Sequence, residues 1–331
     1  MKMGHLHKGV LTGMVACGAM IASDAQALIA VVTNGNNAGA GSLRRAIADA
    51  NNNPLVTAIE IEPTVGDIVI SSRLTYTGTQ PLVIEASGST VITDGVYAGD
   101  LFLSTRTKSL TLAGLSFFGG ANGIIFRLPS TTTGLATLDI DDAFIGGGTG
   151  HAVYVDDLLT PTTGSAASVE VGIVGCLIAG SLLDGVRVDE RGGGSAFLTI
   201  RNSLIDGCGG NGATVSEAGT GLAEVVVRSS TIVNNGGDGV SASEADGGIL
   251  AFLLREGSFI GFNTGDQVHL SELGGGALEA ELREFSTIDV GGSVNDAIEA
   301  SQVAPGLGSL AIDETSSVSG PVTLTGVDIV P

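Results

Sequence analysis

The stretch Leu198-Thr199-Ile200-Arg201-Asn202-Ser203-Leu204-Ile205-Asp206-Gly207-Cys208-Gly209-Gly210-Asn211-Gly212-Ala213-Thr214-Val215-Ser216 decides the fold. Apolar and polar side chains alternate from Leu198 to Arg201, a second short apolar run follows at Leu204-Ile205, and alternation resumes at Ala213–Ser216 beyond a glycine turn. Alternation at period two marks strands with one buried face. A helix would need apolar spacings of three and four, and the glycines would break it. Three short strands thus occupy one unit of 27–28 residues, the signature of a single coil of a parallel β-helix.

The unit recurs in both directions. Alternating apolar triplets appear at Leu82–Ile84, Leu110–Leu112, Leu138–Ile140, Val169–Val171 and Leu198–Ile200, then at Val225–Val227, Phe252–Leu254, Ala280–Leu282 and Leu310–Ile312. Their last residues lie 28, 28, 31, 29, 27, 27, 28 and 30 apart. The expectation is an all-β, right-handed, single-stranded parallel β-helix of about nine coils of 27–31 residues. At an inter-strand rise of about 4.8 Å, nine coils make a rod roughly 45 Å long. The convincing helix spans 42–51, with Ser42 as N-cap and Leu43, Ala46, Ile47 and Ala50 forming an apolar stripe. It is expected as a lid over the first coil, shielding unpaired strand edges. The far end, through Val322–Leu324 and Val327–Val330, shows no polar cap and is expected to be closed by a partner or by irregular chain.

Composition agrees with this reading. The 331 residues include 52 glycines and no tryptophan, with 43% hydrophobic and 15% charged residues. That much apolar surface argues against disorder, and the glycines follow no triplet period, which excludes collagen. The opening reads as an export signal: Lys2 and Lys8, an apolar stretch from Val10 to Ala22, then the small-x-small site Ala25-Gln26-Ala27. The stretch is too short for a membrane span. The expected boundaries are a signal peptide at 1–27 and a β-helix domain at 28–331, the latter with a cap region at 28–65 and coils at 66–331. A competing lipoprotein reading places the modification on Cys17. No other segment is long and apolar enough to cross a bilayer. After removal of 1–27, 12 basic and 34 acidic side chains remain, and Lys108 is the one lysine. A net charge near −22 excludes nucleic acid and anionic membranes as partners.

Val31-Val32-Thr33-Asn34, Gly39-Ala40-Gly41-Ser42-Leu43-Arg44-Arg45-Ala46-Ile47, Ala50-Asn51 and Ile59-Glu60-Ile61 together resemble the opening of bacterial exported β-helix proteins. These belong to the pectin-lyase-like superfamily and share a G-S-L-R-x-A-I-x-x-A-N module. The resemblance implies the fold and export to the periplasm, the cell surface or the medium. The superfamily includes adhesins, large surface proteins and polysaccharide-processing enzymes, so an extracellular polysaccharide or surface partner is implied.

In a β-helix, chemistry should appear as columns. Arg201, Arg228, Arg255 and Arg283 are spaced 27, 27 and 28 apart and point outward by parity. They form a candidate ligand-binding ladder for a polyanion, or a solvated ladder compensated by Glu256, Glu281 and Glu284. Glu190, Glu217, Glu244 and Glu272 form a second column, expected to turn to solvent or to loop amides after their strands end. Asp184, Asn211, Asp238 and Asp266 form a third, read as turn residues. Asp184, Asp238 and Asp266 are the candidate metal ligands, calcium being the one cofactor considered. Cys176 falls in a small-residue column with Ser203, Ser230, Ser258 and Ser286, whereas Cys208 falls with Asn235 and Asn263, so a disulfide is not expected. His151, Asp156, Asp157 and Asp141 are the catalytic candidates, with Asp139, Asp141 and Asp142 placed one coil below His151. Clustered carboxylates beside a histidine could serve an inverting glycosidase or a lyase. The paired-aspartate, Gly-His-Gly and Arg-x-Lys motifs of polygalacturonases are not found. Expansions at Arg127–Gly134 and Asp157–Ser165 would flank any cleft, next to His151. The resulting expectation is an exported, noncatalytic surface, adhesion or glycan-binding protein; the alternative is a polysaccharide lyase or glycoside hydrolase.

Overall fold

Wherever side chains alternate, the backbone is extended and its apolar face is turned inward. The structure, a computed structural model, describes residues 27–95, 97–157, 164–291 and 295–330. Residues 1–26 of the segment read as an export signal, Cys17 among them, and most of the Asp157–Ser165 expansion lie outside those residues. One coil consists of the strands Ala196–Arg201, Leu204–Asp206 and Ala213–Glu217. Each strand pairs in parallel with its equivalent one coil above and below. The first two strands of every coil merge into a long sheet of 20 strands, and the third strands form a short sheet of 10. The chain is therefore a parallel β-helix of about ten turns, one more than the triplets suggested. The additional coil uses Val56–Ile61, Ile68–Ile70 and Leu74–Tyr76. The stack thus starts inside the segment assigned to the cap.

Register also corrects one coil. Ile140 pairs with Ile173, and Ile173 with Ile200, so the repeat there is Val171-Gly172-Ile173 rather than Val169–Val171. The spacings 31 and 29 become 33 and 27, which places the whole excess in the Asp157–Ser165 expansion. The interior is a set of aliphatic columns, for example Leu138, Val171, Leu198, Val225, Phe252 and Ala280, all buried. Ala280 next to Phe252 keeps the local volume constant in a close-packed core.

The bend between the first two strands needs a left-handed residue. Asp142, Asn202, Ser229 and Glu256 occupy it at φ of 50°, 50°, 47° and 59°, a conformation that Asp and Asn tolerate better than most side chains. The next column is small: the Cys176 amide donates to Ser203 Oγ (3.0 Å) and the Ser203 amide to Ser230 Oγ (3.1 Å). Cys208 lies in the asparagine column, its amide donating to Asn235 Oδ1 at 3.0 Å. Both thiols are free and buried.

Helix Leu43–Asn52 closes the first coil. Ser42 caps it by accepting from the Arg45 amide, and Leu43, Ala46, Ile47 and Ala50 are its buried residues. It packs on the strands Leu28–Val32, Val56–Ile61 and Leu74–Tyr76. At the other end, Val322–Thr325 and Val327–Val330 each pair on one side only, and Val322, Ile329 and Val330 are exposed.

Candidate functional site

Every aspartate proposed from the turn column has a structural task, and so does His151. The Asn122 side-chain oxygen accepts the His151 amide (2.8 Å), and His151 Nδ1 accepts the Asp184 amide (3.1 Å). Asp184 Oδ1 then accepts from Asn211 (2.8 Å), Asn211 Oδ1 from Asp238 (2.7 Å), Asp238 Oδ1 from Asp266 (2.9 Å) and Asp266 Oδ1 from Asp296 (3.0 Å). This ladder ties each coil to the next and leaves Asp184 Oδ2 to Thr214 and Arg187, and Asp266 Oδ2 to His269, all on the short sheet's outer row. Because Nδ1 of His151 is an acceptor, its proton sits on Nε2. Burial holds the imidazole below its ordinary pKa, so it is neutral at neutral pH. His151 therefore presents a donor, not a base, to any ligand.

Around it the structure assembles charges that the sequence reading did not group. The His151 and Tyr154 rings lie 5.2 Å apart. Arg187 Nε meets Asp189 at 3.0 Å and its Nη1 meets Asp184 Oδ2 at 3.5 Å; Arg191 adds a contact to Asp189 at 3.3 Å. The Tyr154 hydroxyl donates to Asp189 at 3.3 Å. Burial, with Asp156 and Asp189 nearby, pushes the Tyr154 hydroxyl up to about 12. Arg127 pairs with Asp156 at 3.2 Å. Asp157 is turned the other way, buried, accepting from the Ser165 and Arg191 amides at 2.7 and 3.1 Å. Asp141 is not part of this cluster. It ends the strand Thr133–Asp141 on the long sheet, beside Asp142 and within the field of Arg201. Asp139, Asp141 and Asp142 precede His151 within its own coil rather than one coil below.

The cluster lies at one end of a longer surface. Outward residues of the short sheet form two rows in register, Tyr154, Arg187, Thr214, Ser241, His269 and Glu299, beside Asp156, Asp189, Ser216, Ser243, Ser271 and Ser301. No large apolar side chain interrupts them, whereas the long sheet exposes Val83, Leu135, Leu177 and Ile249. Beside the charged end, the segments that leave the short sheet after Ser104 and Arg127 line a groove of about 650 Å³ with Arg106, Lys108, Pro129 and Thr132. The Arg127–Gly134 expansion thus forms a groove wall, as anticipated. Its basic partners are Arg106 and Lys108, and His151 does not line it.

Two remaining columns resolve in register. Arg201, Arg228 and Arg255 align directly, with Arg283 in the next coil. Arg228 meets Glu256 at 3.7 Å, and Glu281 bridges Arg255 (3.3 Å) and Arg283 (2.9 Å). Glu284 instead uses its amide, on Asp313. Of the two outcomes expected for the glutamate column, solvent or loop amides, the structure shows the second: Glu190, Glu217, Glu244 and Glu272 are all 0% exposed. Each folds back on the glycine loop that follows it. Glu217 Oε1 accepts from Gly219 (2.7 Å) and Gly221 (3.4 Å), and Glu272 Oε1 from Gly274 (2.9 Å) and Gly276 (3.0 Å). Asp157 continues the column below Glu190, and Gln302, which donates to Glu272, closes it.

No protein-family model matches the chain, and no curated protein matches it. Solved structures do. Pectate lyase Pel9A superposes with a TM-score of 0.58 at 13% identity, over 92% of this chain and 79% of its own. The A-module of Azotobacter vinelandii mannuronan C-5 epimerase AlgE4 gives 0.54 at 10% identity, over 89% and 88%. The AlgE6 A-module gives 0.52 at 13%, over 90% and 97%. These likenesses establish the fold: the chain is a parallel β-helix of the kind found in pectate lyase and mannuronan epimerase. Among the described residues, no helix is long and apolar enough to cross a membrane.

Proposed function

We propose that this chain is an exported, noncatalytic polysaccharide-binding β-helix, with the glycan lying along the outer face of the short sheet. One observation carries the reading: two unbroken rows of hydroxyl and charged side chains run in register across six coils. Hydroxyl rows at the strand spacing offer repeated donors and acceptors to a repeating polymer. The Arg106–Lys108 groove offers the cationic contact that an acidic sugar needs, within an otherwise acidic protein. The hydrogen bonding around the cluster supports the noncatalytic half of the reading. His151 Nδ1 is occupied by an amide, Asp189 is held by two guanidinium groups and Tyr154, and Asp156 is held by Arg127. A general base must be placed within reach of its proton, and each of these groups is already engaged by a neighbour. The solved neighbours, a pectate lyase and two mannuronan epimerases, support a polysaccharide as the ligand class. The opening segment and its Ala25-Gln26-Ala27 site support export.

A second reading, polysaccharide lyase or glycoside hydrolase, draws on the contact of His151 and Tyr154 beside Arg187. A polysaccharide array scored for both binding and new chain ends separates the two. The expected result is binding of at least one glycan without cleavage, unchanged in cleavage readout by Tyr154→Phe. Chain cleavage that disappears in Tyr154→Phe would replace this reading with the enzymatic one.

A further inference from the structure

We propose that Asp266, His269 and Glu299 form a binding site for a divalent transition-metal ion of the Zn²⁺ type. The three lie on the short sheet's outer face, in the same two columns as His151 and Tyr154 but four coils further along, roughly 19 Å away at the inter-strand rise. His269 and Glu299 are direct register partners on adjacent strands, and Asp266 sits on the turn that enters the His269 strand.

Both distances from the imidazole nitrogen match the ligand spacing of a tetrahedral ion. His269 Nδ1 lies 3.4 Å from Asp266 Oδ2 and 3.3 Å from Glu299 Oε2, and all three atoms fall within 4.8 Å of one another. Zinc bonds of about 2.0–2.1 Å to nitrogen and oxygen place tetrahedral ligands about 3.3–3.4 Å apart. Hydrogen bonding satisfies the cluster less well. Nδ1 carries at most one proton, yet two carboxylate oxygens converge on it, so one of the contacts lacks a donor of its own.

The arrangement is also held in place. Asp266 spends Oδ1 on the Asp296 amide (3.0 Å), and its own amide donates to Asp238 Oδ1 (2.9 Å). The ladder therefore aims Oδ2 at His269 without a metal, the role that outer-shell hydrogen bonds play in metal proteins. One imidazole nitrogen with two carboxylate oxygens suits zinc, manganese or cobalt, whereas calcium prefers an all-oxygen shell of six to eight ligands. His269 and Glu299 are partly exposed, so water can reach the group. This site stands on its own geometry and does not depend on the glycan reading.

The test is titration of the metal-free full chain with Zn²⁺ by calorimetry and with Co²⁺ by visible absorption, beside the His269→Gln and Glu299→Gln variants. The expected result is one equivalent bound, a Zn²⁺-dependent rise in Tm, and at least roughly tenfold weaker binding in each variant. Both substitutions fall on half-exposed positions, so circular dichroism and the metal-free Tm confirm folding. Failure of the wild-type chain to bind either ion overturns the proposal. So does binding that both variants retain, or Ca²⁺ binding as tight as Zn²⁺.

Discussion

Glu217 shows how spacing can place a side chain while polarity leaves two outcomes open, solvent or loop amides, between which packing decides. A carboxylate every 27–28 residues at a strand end suggests solvent, because an unpaired buried charge is costly. What offsets that cost is the pattern Glu-x-Gly-x-Gly, seen at Glu190–Gly194, Glu217–Gly221 and Glu272–Gly276, whose glycine amides turn back onto the carboxylate. The glycines are obligatory: a Cβ on Gly221 would come within 1.7 Å of the Gly194 carbonyl oxygen. Glu217→Ala should strand two buried amides and cost about 2 kcal/mol or more. Stacking adds a proton. Burial first, then Glu217 alongside, pushes the Glu190 carboxyl up to about 8. In the unfolded chain it titrates near the ordinary glutamate value of about 4.3. The native state thus keeps a proton that the unfolded chain releases, so this group's contribution is full at low pH and is lost as pH rises from the unfolded value to the folded one. Glu190→Gln mimics the protonated acid, as Gln302 does naturally beside Glu272. Urea midpoints at about pH 5 and about pH 8.5 should fall less in Glu190→Gln than in the wild type. An equal or steeper fall would remove the shared proton from the account.

Along a strand, register is the quantity that matters, and most of it was legible. Alternation fixed which side chains enter the core, because a slip of one residue exchanges the two faces. The helix Leu43–Asn52 was readable for the same reason, its stripe being the set of residues that the structure buries. One strand was read two residues early because Val169, Val171 and Ile173 all alternate and all face inward, so periodicity alone could not choose among them. The first coil was missed because Ile59-Glu60-Ile61 was read together with the helix as part of the cap region. The site was less legible than the fold. Arg187 and Asp189 meet His151 and Tyr154 only across coils, at separations of 33–38 residues that follow the stretched repeat at the expansion. The same reasoning sets an expected outcome for insertions. One residue added within Val225–Val227 should abolish cooperative folding or lower Tm steeply, whereas several added after the exposed Ser130 should cost little, since loop closure grows slowly with length. Similar melting temperatures for both would contradict the assigned register.

On the scale of the whole molecule, the β-helix presents two kinds of outer surface, and the proposed function belongs to one of them. The long sheet carries isolated exposed aliphatics and the Arg–Glu ladder, whose pairs are exposed enough to be worth about 1 kcal/mol or less each. The short sheet carries the hydroxyl rows, the charged cluster around His151 and the Asp266–His269–Glu299 group. Because Cys176 and Cys208 are buried, with thiols pushed up to about 11 by burial, a new surface cysteine can be labelled selectively in a chain that starts at Leu28 and so lacks Cys17. The most direct test places a bulky maleimide on Ser243→Cys, in the middle of the short sheet's face, and on Glu279→Cys, exposed on the long sheet. Binding to the glycan found on the array is then measured for both conjugates. Loss of binding for the Ser243 conjugate with retention for the Glu279 conjugate is the expected result. Retention by the Ser243 conjugate, or loss confined to the Glu279 conjugate, would contradict the assignment of the binding face.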